Sequence, residues 1–512
     1  MNYKGLIYIA FAAAAFAFAL LNRVHMFQLN AYKYTFHKDW IKSNFASLAA
    51  KAALPLISFG MCFIPTDWAI YAAIVPNIVF LLLNLPKKAK KPLVFTARVK
   101  RLVATCIILF ALVCGLSNMT RIYVCSLALV IPSYIMLFGN IINRPAENAV
   151  RRKYINEAKR KIESLPNLIV IGITGSYGKT GTKYILEKLL SEKYNVLMTP
   201  ASYNTTMGVV KVVRENLTAA HDIFICEMGA RSRGEIKEIC DIVKPKYGII
   251  TSIGPCHLET FGSIENIVKT KFELCDALPD DGIIFLNADN EHIANKTDIT
   301  KKAVYYGIEN REKSAFSAEN FALSENGTSF DATFGDEKVR LSTKLLGAHN
   351  IVNILGCVAL AKTLGVENAS LVLGTRRVEG APHRLSLIKG AGFVIIDDSF
   401  NSNPSGSRAA LDVLSGFDGQ KIIITPGMIE LGEKQDELNE KLGEYAAKIC
   451  DFIFLVGEKQ TRSIKKGVLE AGFDKEKLVV FERVEDAINA AKALPCNSRN
   501  CILIENDLPD NF

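Results

Sequence analysis

The first residues able to do chemistry form one string, Gly172-Ile-Thr-Gly175-Ser176-Tyr-Gly178-Lys179-Thr180-Gly181. Glycines let backbone N–H groups close around phosphate oxygens, a lysine at the end of the turn reaches the terminal phosphates, and the next hydroxyl can hold Mg²⁺. The run Leu168 to Thr174 is short and continuously apolar and reads as a buried parallel strand, while Tyr184, Leu186, Leu189 and Leu190 mark the apolar face of a helix opening near Thr180. Strand, turn and helix agree, so the string predicts a site for ATP and Mg²⁺. Its spacing departs from the common phosphate loop: counting back from Gly178, the position expected to be glycine is Ile173. Farther on, Phe224-Ile-Cys-Glu227 is a second apolar run ending in a carboxylate, which suits a divalent cation beside phosphates.

The pattern Gly-x-Thr-Gly-Ser-x-Gly-Lys-Thr resembles that of the Mur ligases, and further segments extend the likeness over roughly residues 168 to 505. The family joins an amino acid or peptide to a carboxylate through an acyl phosphate made from ATP. The resemblance implies a loop near the γ-phosphate and acceptor at Thr199 to Gly208, with Asn204 and Thr205 toward substrate, and makes Glu227 a metal ligand with Thr180. It implies that His257, in Gly254-Pro-Cys-His257, serves a second magnesium site, and that Lys271 is carbamylated and so becomes an oxygen ligand. By residue type alone, His257 reads as structural and Lys271 as a surface lysine. Leu286-Asn287-Ala-Asp289-Asn290 and Gly347-Ala-His349-Asn350 are similar to turns near the adenine, which implies ATP contacts at Asn287, Asp289 and Asn350. The stretch Ala303 to Arg340 reads as short strands and turns, expected to form a small antiparallel sheet beside the ATPase core.

From about Thr375 the pattern restarts with Pro382-His383-Arg384-Leu385, then the strand Phe393 to Asp398 and the turn Ser399-Phe-Asn401-Ser-Asn403-Pro404. The resemblance makes Arg384 an ATP contact from a third domain, Asp398 the acid on the ribose, and Asn401 and Asn403 substrate residues. Closure of that domain would exclude water from a hydrolysable acyl phosphate. Later apolar runs at Ile422 to Thr425, Phe452 to Val456, Leu478 to Phe481 and Cys501 to Glu505 supply a doubly wound, Rossmann-like sheet. The segment Ile422 to Glu433 looks most like family members that add D-alanyl-D-alanine to a muramyl tripeptide. Two features depart from those members. The place of their amino-terminal nucleotide-sugar domain is taken by apolar sequence, and a Lys-Gly-Ser-Arg type of turn is replaced by Glu505-Asn-Asp-Leu-Pro-Asp510, which offers negative charge where the incoming amine is expected.

The elements that must carry this machinery follow a different kind of sequence. Of the 512 residues 49% are hydrophobic, and the excess lies before residue 145. Apolar stretches at Gly5 to Leu21, Phe45 to Ile64, Trp68 to Leu85, Leu102 to Leu116 and Ile122 to Ile142 approach the roughly 20 residues of a spanning helix, and five spans are expected. The net charge of +9 is concentrated between them, at Arg23, Lys33, Lys38 and Lys42, at Lys87 to Arg101, and after Arg144. That placement is membrane topology and not a nucleic-acid surface, and it puts everything after residue 145 in the cytoplasm. A cleaved signal peptide at the first stretch would leave a strongly basic loop outside. Lys51 within the second stretch is costly in lipid unless it snorkels or pairs. The polar, aromatic loop from Arg23 to Lys42 reads as an interfacial belt or, more sharply, as a headgroup site for a lipid-linked substrate. The 12 cysteines include no C-x-x-C pair, which predicts reduced thiols and no structural metal cluster.

The expected architecture is therefore a membrane domain over 1–145, a helical connector over 146–166, an α/β P-loop ATPase domain over 167–373 and an α/β Rossmann-like domain over 374–512. The expected protein is a multi-pass plasma-membrane ligase with cytoplasmic catalytic domains, acting on a carboxylate-bearing envelope precursor, UDP-linked or lipid-linked, and on an amino acid or dipeptide. Alternatives are a ligase that modifies another lipid-linked glycan or makes a poly-amino acid, an ATP-driven transporter, and a nucleotide-responsive scaffold. The transporter reading is opposed by the scarcity of charges within the spans. The scaffold reading is opposed by the complete set Lys179, Glu227, His257 and Lys271.

Overall fold

The computed structural model describes residues 3–66, 68–86, 91–116, 124–201, 203–324, 327–380, 383–400, 402–429 and 431–506. The chain divides into two compact units, with the break after Arg152.

The N-terminal unit is helical: α1 (Tyr3–Leu29), α2 (Tyr34–Ser43), α3 (Phe45–Met61), α4 (Ala69–Leu83), α5 (Ala97–Leu116), α6 (Val124–Val130) and α7 (Pro132–Glu163). Among the described residues α1 is long and apolar enough to cross a membrane, and α6 with α7 adds a second crossing if that pair counts as one span. The last apolar stretch, expected as a single span, is broken between α6 and α7 by an 83° bend. Pro132 begins α7 there, where its missing N–H costs nothing. The helices α3 and α4 have 17 and 15 residues, the first at the short end of what a straight span needs and the second below it. Lys51 Nζ donates to Leu83 O at 3.0 Å, so the charge expected to be costly caps the end of α4. The loop charges Lys87, Lys88, Lys90 and Arg121 lie outside the described residues.

The unit is apolar outside and partly polar inside. Leu56, Val75, Leu82, Ile108, Phe138 and Ile141 are exposed, whereas Ser58, Asn77 and Ser126 are fully buried. Tyr8 Oη bonds Ser58 Oγ at 2.9 Å and also Ser126 Oγ, Asn77 Nδ2 donates to Ser126 Oγ at 3.1 Å, and Ser58 Oγ donates to Ala73 O at 2.7 Å. Small hydroxyls and an amide bridging packed helices are the usual means of joining helices where the surroundings are as apolar as the side chains.

The second unit opens with β1 (Ile169–Thr174), α8 (Lys179–Leu190), β2 (Val196–Met198), α9 (Thr206–Glu215), β3 (Ile223–Glu227), α10 (Glu235–Val243), β4 (Tyr247–Ile250), α11 (Leu258–Phe261), α12 (Ile264–Asp276), β5 (Ile283–Asn287), α13 (Glu291–Ala294) and β6 (Lys302–Tyr306). Then follow β7 (Phe316–Ser324), β8 (Gly327–Phe334), β9 (Glu337–Thr343), α14 (Ala348–Thr363) and α15 (Asn368–Arg377). The strands form one nine-stranded sheet in the order β2-β3-β1-β4-β5-β6-β7-β8-β9, parallel as far as β7 and antiparallel beyond. The antiparallel strands expected beside the ATPase core are thus an extension of its own sheet. Successive residues point to opposite faces. Ile171, Ile173, Ile225 and Phe285 pack with α8 and α14, and Val170, Phe224, Ile284 and Leu286 pack with α9, α10 and α12. Burial on both faces is why these strands read as unbroken apolar runs.

A second sheet has six strands in the order β10-β11-β15-β12-β13-β14, with only the β10–β11 pair antiparallel. Its elements are β10 (Ser386–Gly390), β11 (Phe393–Asp398), α16 (Pro404–Ser415), β12 (Gln420–Thr425), α17 (Gln435–Ile449), β13 (Phe452–Val456), α18 (Arg462–Glu470), β14 (Leu478–Phe481), α19 (Val484–Ala493) and β15 (Asn500–Glu505). Ile396, Ile423 and Leu503 pack against α16 to α18, and Ile395, Ile422 and Ile502 against α19.

If the Tyr8, Ser58, Asn77 and Ser126 network joins the N-terminal helices, Ser126→Ala leaves the Asn77 amide donor unmet and takes one partner from Tyr8 Oη. It should then cost about 1–2 kcal/mol, read as a lower unfolding midpoint of the full protein in detergent. An unchanged midpoint would show that these groups find other partners.

Candidate active site

The phosphate loop is fixed by its neighbour across β1 and β4. Ser176 N donates to Ser252 O at 2.7 Å, Tyr177 N to Ser252 Oγ at 3.2 Å, and Ser176 Oγ to Gly254 O at 3.0 Å. Gly175 adopts φ +153°, and a Cβ there would lie 2.1 Å from Thr251 Oγ1, so only glycine fits the turn. Gly178 caps α8 with φ +80°, and Gly181 follows in the first turn. Lys179 Nζ folds back onto the loop, donating to Gly175 O at 2.7 Å and Ser176 O at 3.0 Å. Burial lowers its pKa, and the charge of Glu227 opposes that shift.

Glu227 ends β3 with 1% exposure. Lys183 Nζ donates to its Oε2 at 2.9 Å, Asn204 Nδ2 to its Oε1 at 3.0 Å, and Thr180 Oγ1 to both oxygens at 3.2 Å. Burial alone would raise its pKa, but Lys183 and Lys179 outweigh that and hold the carboxylate ionised. Lys183, fully buried, was not foreseen from the sequence. Its only signal is position: four residues after Lys179 puts it on the same helical face, one turn deeper.

Lys271, on α12, is 1% exposed. Burial, then repulsion from Lys179, lowers its pKa to about 7, so it is an amine with a neutral fraction at ordinary pH and not a surface lysine. His257 stands at φ +50° just before α11.

Several expected ligand residues hold the protein's own backbone. Asn287 Nδ2 donates to Thr251 O at 2.8 Å, and the Asp289 carboxylate accepts from the N–H groups of Ile308, Glu309 and Asn310 at 2.7, 2.9 and 2.9 Å. Asn350 Nδ2 donates to Leu346 O at 2.8 Å. Thr205 caps α9 and Asn403 caps α16. Asn401 lies outside the described residues.

From the second sheet, Arg384 lies over the Phe400 ring at 4.6 Å. Burial lowers its pKa, while Asp398 and Glu227 act against the shift, so its charge reaches the carboxylate at the phosphate loop. Burial raises Asp398 to about 6 despite Arg384. The adjacent Asp397 instead accepts from His383 Nδ1 at 2.7 Å and from Ser399 Oγ at 2.6 Å.

Glu505 corrects one expectation. It was placed in a loop offering negative charge to an amine, but it is 1% exposed at the end of β15 and bonded to Ser402 Oγ and, at 3.2 Å, to Thr425 Oγ1. Burial raises its pKa to about 8, so it is largely protonated near neutrality. Together with Asn506, which accepts from Ser402 N and donates to Gly427 O, it ties the turns after β11, β12 and β15.

A phosphate loop on a parallel sheet, a shielded acid beside it, and a second α/β sheet sending an arginine toward both define a nucleotide-dependent ligase. The Mur ligase middle domain matches residues 173–361 and the Mur ligase glutamate ligase domain matches residues 383–505. The UDP-N-acetylmuramoyl-tripeptide–D-alanyl-D-alanine ligase of Escherichia coli (strain K12) is 32% identical over 60% of this chain and 69% of its own length, and that of Bacillus subtilis (strain 168) is 30% identical over 63% and 70%. A crystal structure of MurF from Acinetobacter baumannii superposes with a TM-score of 0.63 at 27% identity, over 70% of this chain and 77% of that one. The chain belongs to the Mur ligase family, ATP-dependent ligases that form amide bonds with release of ADP in peptidoglycan synthesis. These enzymes use ATP and Mg²⁺. The donors here fit that cation. Thr180 and Glu227 present hard oxygens at the phosphate loop, the ligand type that Mg²⁺ takes together with phosphates.

Glu505 carries a pH prediction. Its folded pKa lies above the ordinary glutamate value, so its stabilising contribution is complete below that value and is lost as pH rises through about 8. Glu505→Gln lacks this loss, so its melting temperature relative to wild type should rise between about pH 5 and about pH 9. A constant difference would mean that Glu505 is ionised throughout.

Proposed function

We propose that this chain adds D-alanyl-D-alanine, or a related amino acid or dipeptide, to the peptide carboxylate of a muramyl precursor, and that it does so at the membrane. The observation that carries the chemistry is the juxtaposition of buried groups: ionised Glu227 on Thr180 and Lys183, with Lys271 close enough to feel the charge of Lys179. In this reading Lys179 and the 175–178 backbone bind the ATP phosphates, Thr180 and Glu227 hold Mg²⁺, and His257 and a carbamate on Lys271 complete its surroundings. Mg²⁺ supplies charge neutralisation of the phosphates.

The acceptor carboxylate attacks the γ-phosphorus, ADP leaves, and the neutral amine displaces phosphate from the acyl phosphate. Lys179 offsets charge as the phosphoryl group moves, and Arg384 approaches the same region from the second sheet, with Asp398 directed to the ribose. Asn204, anchored on Glu227, orients the loop that carries the acceptor. Positioning and electrostatics account for the catalysis, as in phosphoryl transfer generally.

The membrane part of the reading rests on the inverted polarity of the N-terminal unit, whose outward side chains are apolar and whose inner ones are partly polar. We read it as multi-pass, with the short α3 and α4 as a hairpin and the catalytic domains in the cytoplasm, and with a lipid-linked form of the precursor as the acceptor.

ATP should be consumed to ADP and phosphate only when acceptor and amine are both present, with Lys179→Ala inactive. Formation of AMP and pyrophosphate would refute the acyl-phosphate route. Lys271→Ala should lose activity and regain part of it with added short carboxylic acids that refill the cavity. Full activity without rescue would leave Lys271 outside the site.

A further inference from the structure

Among the described residues of the N-terminal unit no acid neutralises one buried cation. Arg23, near the end of α1, is 5% exposed, and its Nε has no hydrogen-bond partner. It lies 5.6 Å from the centre of the Trp40 ring, and among the described residues it joins no ion pair. His37, on α2, is 0% exposed, stacks on the same ring at 5.3 Å, and has an Nε2 without a partner. Asn30 Nδ2 is 3.5 Å from His37 Nδ1. If Nδ1 accepts, the ring proton is on Nε2, and His37 too presents a donor with no acceptor. Burial, then the charge of Arg23, lowers the His37 pKa to about 4, so the imidazole is neutral and the pair carries a single positive charge.

The other polar groups of this loop are already committed. His25 Nε2 bonds Lys91 O at 2.7 Å, Gln28 exchanges two hydrogen bonds of 3.0 Å with the backbone of Val94, and Gln28 Nε2 also donates to Tyr32 Oη at 3.1 Å. They fasten residues 91–94 to α1. Of the conspicuous residues between Arg23 and Lys42, the buried donors left unmet are those of Arg23 and His37, both against Trp40. A desolvated guanidinium without an acceptor is costly, and a tetrahedral phosphate, with oxygens able to accept from both side chains, relieves that cost.

We propose that Arg23, His37 and Trp40 form a binding site for the phosphate group of a lipid. The proposal rests on reading this unit as membrane-embedded: Arg23 follows the apolar run of α1, at the depth where a headgroup phosphate meets the acyl region. It gives the N-terminal unit a recognition role beyond anchoring.

The two tryptophans are Trp40 and Trp68, so full-length Trp68→Phe leaves Trp40 as the sole tryptophan, selectively excited at the red edge of its absorption and lying against both donors. In detergent micelles it would be titrated with short-chain phosphatidic acid, with diacylglycerol of the same chains, and with inorganic phosphate. A saturable Trp40 change is expected with phosphatidic acid and none with diacylglycerol, with inorganic phosphate weaker by about tenfold or more. Arg23→Gln in this background should weaken phosphatidic acid by about tenfold or more, and Arg23→Lys should retain part of the affinity because it keeps the charge. The site is overturned by an equal response to diacylglycerol, by no saturable response to either anion, or by Arg23→Gln and Arg23→Lys both binding as the parent does. Inorganic phosphate binding as tightly as phosphatidic acid would overturn the lipid as its source. The readout is binding and not ligation, so this site can fail while the acceptor assignment stands, and the reverse.

Discussion

The structure depends on one buried carboxylate. Glu227 ends β3 almost without solvent, and a charge so placed is stable only with charged and hydrogen-bonding partners around it. Thr180 and Lys183, both from α8, and Asn204, from the loop after β2, meet on its two oxygens. The acid thus joins the end of β3 to a helix and to a loop from another part of the chain. Removing it would leave Lys183 buried and uncompensated, a loss of about 3–5 kcal/mol, so stability and chemistry cannot be separated at this residue.

The second sheet extends the same logic. Asp397 and Asp398 are adjacent on β11 yet do different work: the first is held by His383 and Ser399, the second faces Arg384. Asp398 and Glu227 both act on Arg384 against the effect of its burial. Behind them, Glu505 and Asn506 join the strand ends by hydrogen bonds. A protonated acid at that position holds the strand ends without adding a negative charge beside Asp398.

The N-terminal unit obeys the opposite rule of polarity. Its Tyr8, Ser58, Asn77 and Ser126 cluster lies inside, its large apolar side chains lie outside, and Lys51 ends on a helix carbonyl. Arg23 differs: among the described residues no acid pairs with it and it lies against the Trp40 ring, whereas Arg101 is met by Glu147 at 2.8 Å.

The sequence by itself determined the elements and much of the chemistry. Short apolar runs such as Ile169 to Thr174 and Phe224 to Cys226 read as strands covered on both faces, and a turn containing Gly175 and Gly178 ahead of Lys179 suits phosphate binding. Those inferences rest on local periodicity and backbone freedom, which a linear reading contains. Tertiary structure decided where the polar side chains bond. Asn287 and Asp289, which the resemblance directs to ATP, also bond backbone groups brought to them by folding, in the case of Asp289 the turn at 308–310. Lys183, Lys271 and Glu505 look like surface charges in the sequence, and only packing shows that they are buried. Burial and long-range pairing depend on what lies across the sheet, and that information is distributed over segments as far apart as Ser402 and Glu505, so composition and spacing along the chain do not contain it.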